Sequence, residues 1–79
     1  MTLITHANQV GALLAARRKH LKHSQAETAS KLGLSQNRLS ELETHPETLT
    51  VAQLIALLNV LGLELQIGER SSAKHKVEW

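Results

Sequence analysis

Cysteine is missing from this chain of 79 residues, and so are aspartate, phenylalanine and tyrosine. Without cysteine there is no disulfide and no thiolate metal site to reinforce the fold, and the chain suits a reducing compartment. With Trp79, the last residue, as the only aromatic side chain, the core has to be built of Leu, Ile, Val and Ala. No Ser–His–Asp arrangement or glycine-rich phosphate loop is visible, so neither an enzyme nor a cofactor is expected. His20 and His23 are close enough to share a helix face, but no neighbouring carboxylate or cysteine completes a site, and no metal is expected. No apolar run approaches membrane-spanning length, and the N-terminus lacks a basic segment followed by an apolar one. The expectation is a cytoplasmic protein with no membrane contact. At this length it is one small domain, near the lower limit for burying a self-sufficient core.

What is present concentrates between Ser24 and Glu43. Ser24 with Glu27 three residues later forms a capping box for a short helix. Ala26, Ala29 and Leu32 give that helix a narrow apolar stripe, and Gly33 supplies the left-handed residue that ends it. Ser35 then caps a second helix. Leu39 and Leu42 point inward from it, leaving Gln36, Asn37, Arg38 and Ser40 for solvent or a partner. Two short helices around a tight turn are the mark of a helix-turn-helix, whose second helix can enter the DNA major groove.

Charge supports a polyanion partner. Arg17, Arg18, Lys19, Lys22, Lys31 and Arg38 are opposed between residues 17 and 38 only by Glu27. From 39 to 69 there is no Lys or Arg, against Glu41, Glu43, Glu47, Glu64 and Glu69. A domain basic around its helix-turn-helix and acidic elsewhere has a preferred face for double-stranded DNA.

Around this unit the pattern predicts a first helix from after Thr5 to about Leu21, with Gly11 inside it. Residues 44–48 read as a loop, because His45 before Pro46 is pushed out of helical dihedrals. A further helix starts at Thr50, capped with Gln53, and ends near Leu61 before Gly62. It is apolar nearly all round, so a second subunit is expected to cover one side. Leu63-Glu64-Leu65-Gln66-Ile67 alternates as a strand does. With only the short Leu3-Ile4 segment to pair with inside the chain, it is expected to pair with its own copy across a two-fold axis. The expected fold is therefore mainly α: four to five helices over residues 1–68, plus one C-terminal strand pairing across a homodimer. Leu54, Leu58, Leu61, Leu63, Leu65 and Ile67 form the expected interface. Residues 69–79 are polar and expected to be a disordered tail.

These residues give the chain a resemblance to the repressor-type helix-turn-helix family, the Cro/C1 or XRE class, over about residues 10–62. Arg18, Ser24-Gln25, Ala29, Gly33, Gln36 and Ser40-Glu41-Leu42-Glu43 carry it. Thr28 stands where the family usually has a buried Leu, and Lys22-His23 where it usually has Gly and an apolar residue. Thr28 is expected to pack its methyl and to bond its hydroxyl to a carbonyl one turn back. Within the class the chain looks most like HipB-type antitoxins, through Glu43–Thr50, the strand after the last helix, and the polar tail closing on Glu78-Trp79. That resemblance implies a nucleoid-associated autorepressor bound to a HipA-like Ser/Thr kinase toxin. The alternatives are an XRE regulator without a toxin, or a protein-interaction module that has lost operator binding.

Gln36 is the strongest candidate for reading a base, since its amide matches adenine N6/N7. Asn37, Arg38 and Ser40 share the exposed face. Gln25 and the first N–H groups of its helix suit a phosphate, a role the resemblance also gives Gln25; Ser24, Ser35, Arg17, Arg18 and Lys19 join it as phosphate candidates. Arg18 is open between a phosphate and a clamp to Glu43 or Glu41. Trp79, with Val77, either folds back on the domain or anchors in a partner's pocket; the resemblance names a HipA-type toxin as that partner.

Overall fold

Helix boundaries in this protein are written by short-range hydrogen bonds, and the computed structural model, which describes residues 2–69, makes nearly all of those expected. The helices are α1 (Ala7–His20), α2 (Gln25–Lys31), α3 (Gln36–Thr44) and α4 (Val51–Val60), with one 3-10 turn at Pro46–Thr48. Gln9 Oε1 accepts from the Thr5 and His6 N–H groups ahead of α1. At α2 the Glu27 N–H donates to Ser24 Oγ (3.0 Å) and the Ser24 N–H to Glu27 Oε1 (2.8 Å). Thr50 and Gln53 repeat that exchange at α4, both bonds 3.0 Å. Ser35 Oγ accepts from the Arg38 N–H at α3.

The stops are as regular as the starts. After α2, Leu34 N–H donates to Ala29 O and Gly33 N–H to Ser30 O; after α4, Leu63 and Gly62 make the equivalent pair with Leu58 and Asn59. These are Schellman motifs, and Gly33 (φ 70°) and Gly62 (φ 74°) occupy the left-handed position they require. The same bonds end α1, from His23 N–H to Arg18 O and from Lys22 N–H to Lys19 O, but here the left-handed residue is Lys22, φ 61°.

The core is Leu14 from α1, Ala29 from α2, Leu39 and Leu42 from α3, and Leu57, Leu58 and Leu61 from α4 and its end. α1 packs across α3 and the 3-10 turn. Gly11 lies at that crossing: a Cβ there would overlap the Glu43 carbonyl oxygen and sit 3.1 Å from Pro46 Cγ. Pro46 is buried and opens a 3-10 turn where a plain loop was expected, since proline's fixed φ suits a first helical position.

Four expectations change. Leu58 and Leu61, assigned to a dimer interface, are 6% and 1% exposed inside the domain's own core, because an all-round apolar helix gives no phase by which to tell its faces apart. Ala26 is exposed, and Thr28 beside Ala29 is buried in its place. The Thr28 hydroxyl, expected to bond a carbonyl, has no partner among the described residues. Leu63–Ile67 joins no ladder: among the described residues there is no strand, and the expected intersubunit pairing has no counterpart in a single chain. Leu65 and Ile67 are 48% and 90% exposed, and Leu3, Ile4, Val51 and Ile55 also face outward. A groove of about 790 Å³ runs between Ile4, Val10, Leu13, Leu54, Leu58 and Leu65. The expected disorder beyond Glu69, with Val77 and Trp79, lies outside the described residues. No described helix is long and apolar enough to cross a membrane.

Candidate nucleic-acid interface

α2 and α3 are held at their mutual angle by the Gly33 turn beneath and by a polar cluster at the other end. Buried Leu39 and Leu42 fix which way α3 faces. Gln36 and Asn37 are thereby left exposed in its first turn, with Ser40 half-buried one turn later. Arg38 flanks this surface, its Nη1 3.4 Å from Glu41 Oε1. Thr44 Oγ1 donates back to the Ser40 carbonyl (2.8 Å). Ser24 and Ser35 accept from backbone N–H groups; the Ser35 hydroxyl proton stays available to a phosphate oxygen, whereas that of Ser24 faces the Glu27 carboxyl.

The polar cluster settles Arg18. Its Nε and Nη2 donate to the two Glu43 carboxylate oxygens at 2.7 and 3.2 Å, and its Nη1 to the His23 carbonyl at 3.0 Å. Arg18 is 8% exposed, so it is a clamp between α1 and α3 and leaves the set of phosphate candidates. A planar guanidinium suits a buried carboxylate because it donates along both oxygens at once. Gln25 adds α2 to the cluster through its Nε2, which donates to Glu43 Oε1 at 3.0 Å. One Gln25 N–H and its carbonyl oxygen remain for DNA.

Arg17 is also committed. Its Nε donates to the Leu61 carbonyl at 2.9 Å, satisfying an end group of α4 and placing a cation at that helix's negative pole. Of the three consecutive cations, Lys19 alone is exposed with no bond recorded among the described residues. Nothing in the sequence signalled the Arg17 contact, which spans 44 positions. At the head of α2 the Ser24 N–H, and secondarily the Ser24 hydroxyl, holds the Glu27 carboxyl below its ordinary value. Among the described residues no group of three or more His, Asp or Glu is placed to hold a metal.

An exposed polar helix is thus set by a glycine turn against a shorter capped one and bolted to a third by a buried ion pair. Residues 14–67 match the family described as Helix-turn-helix. The chain belongs to the helix-turn-helix family. The match covers well over half of the chain, and it identifies a DNA-binding regulator of the XRE type, a family that is generally non-enzymatic. It extends through Ile67, so the match takes in the Leu63–Ile67 segment as well as the second half of α1 and the whole of α2, α3 and α4. No curated protein matches the chain.

Proposed function

We propose that the protein is a homodimeric, sequence-specific transcriptional repressor that reads a palindromic operator with α3. The observation that supports this reading best is the exposed first turn of α3, where Gln36 and Asn37 stand clear of every packed element. Gln36, Asn37, Arg38 and Ser40 read bases; Gln25, Ser24, Ser35 and Lys19 hold phosphates. Uncovered Leu65, Ile67, Val51 and Ile55, with half-buried Leu54 and Leu63, support a second copy as the other partner. A mobility shift on promoter DNA that weakens steeply with salt tests the reading. Gln36→Ala costs about 1–3 kcal/mol and relaxes preference at one base pair. Equal binding of operator and scrambled DNA by wild type and variant overturns α3 as the reader.

The resemblance to HipB-type antitoxins adds a HipA-like kinase toxin as partner, with Val77 and Trp79 as its anchors, and autoregulation of a shared operon. Calorimetry against a HipA-like kinase, should the neighbouring gene encode one, tests that part separately. Loss of Trp79 weakens toxin binding and leaves DNA affinity unchanged. Equal affinity without Trp79 removes the anchor.

A further inference from the structure

Glu41 is the one charged side chain close to the centre of the outward face of α3. Counting about 100° per residue from Gln36, Leu39 and Leu42 fall at about 300° and 240°, so the outward direction is at about 90°. Thr44, Asn37, Ser40 and Glu41 all lie within about 50° of it on the same count. The Glu41 side chain is 65% exposed. A carboxylate at that position meets a polyanion head-on, and it weakens binding to DNA in general unless a donor receives it.

The major groove offers few donors. Adenine presents N6–H₂ next to the N7 acceptor, which repels a carboxylate; cytosine presents its N4–H₂ donor alone. The pairing partner of that cytosine is guanine, whose O6 and N7 take an arginine. Arg38 is held 3.4 Å from Glu41 on the same helix, with its own side chain 37% exposed. Acceptor and donor fork therefore stand side by side, as the donor and the acceptors of a C·G pair do. We propose that Glu41 is a specificity-determining residue which selects a C·G pair in each half-site, with Arg38 presented to the guanine of that pair. The same carboxylate keeps Arg38 from binding phosphates indiscriminately, so it lowers affinity for all other DNA.

This inference rests on α3 being the reading helix, and the test separates the two. Full-length wild type, Glu41→Gln, Glu41→Ala and Gln36→Ala are each taken through selection from DNA with a randomised half-site. Wild type selects C·G at one position of the half-site. Glu41→Gln moves that position to A·T, because an amide matches adenine N6 and N7. Glu41→Ala loses about tenfold discrimination there, keeps the other positions, and binds random DNA more tightly with a steeper salt dependence. Thermal midpoints stay unchanged, since the side chain is exposed. If Gln36→Ala alters the selected sequence while both Glu41 variants select the wild-type one, Glu41 is a solvated rim charge and the inference falls alone. If wild type selects no sequence, the reading of α3 falls and takes this inference with it.

Discussion

Two residues sit where the backbone or the core wants something else. Lys22 occupies the left-handed stop of α1 that Gly33 and Gly62 fill elsewhere. A side chain in that conformation costs about 1–2 kcal/mol, of which glycine's greater freedom in the unfolded chain offsets roughly half. Lys22→Gly is expected to stabilise the domain by about 0.5–1 kcal/mol in urea unfolding. Thr28 is 1% exposed and its hydroxyl has no partner among the described residues. Burying an unbonded hydroxyl costs about 1–3 kcal/mol, and valine keeps the shape without that group. Thr28→Val is expected to raise stability by about 1 kcal/mol at unchanged DNA affinity; a neutral or destabilising result means a water reaches the hydroxyl. Gly11 is the opposite case, a residue that looks weak in a helix and is required, because any Cβ runs into the Glu43 carbonyl.

At the scale of the element, what could be seen in the sequence follows from how far each interaction reaches. Ser24, Ser35 and Thr50 announce helix starts because a cap closes over three residues, and Gly33 and Gly62 announce stops because a left-handed residue is named by its own type. The facing of α4 was not visible, since Leu54, Ile55, Leu57, Leu58 and Leu61 offer no polar side to orient it. Nor were the Arg17–Leu61 and Gln25–Glu43 bonds, which join positions 44 and 18 apart and depend on how helices cross. The α2 cap carries a pH signature of its own. Because the Glu27 carboxyl is held below its ordinary value of 4.5 in the fold, its contribution is present above that value. It is lost as the pH falls through the lower folded value, where the protonated group stops accepting the Ser24 N–H. Acid unfolding of Glu27→Gln is therefore expected to be flatter than wild type across this range, and identical profiles count against the cap as an acid-labile element.

For the whole molecule, the apolar surface is unevenly divided. Leu3, Val51 and Ile67 are 80%, 69% and 90% exposed, whereas Leu39 and Leu42 are fully buried. Apolar side chains gathered at the surface of a small domain, as Ile4, Leu54 and Leu65 are along the groove, mark an interaction site. Placing a charge on it distinguishes a dimer interface from a surface that merely tolerates water. Leu65→Asp or Ile67→Asp leaves this chain's own core untouched and is expected to halve the sedimenting mass and weaken operator binding strongly. A wild-type protein that sediments as a monomer at micromolar concentration removes the second copy from the proposal.

The buried cluster of Arg18, Glu43 and Gln25 has a consequence in time as well as in energy. Caps and stops close over three to five residues, so α2, its turn and α3 can assemble early, as local contacts do in fast-folding helical domains. The Arg18–Glu43 pair spans 25 positions and needs α1 already docked. Interactions completed after the transition state govern how fast a protein comes apart rather than how fast it forms. Arg18→Ala leaves a carboxylate buried without its cation, a loss of about 3–5 kcal/mol. In stopped-flow chevrons that loss is expected almost wholly on the unfolding limb; a folding limb slowed in proportion places the clamp in the nucleus. With the clamp forming last, Arg18 and Glu43 set how long a folded molecule survives between unfolding events, and so how often its α3 surface has to be rebuilt.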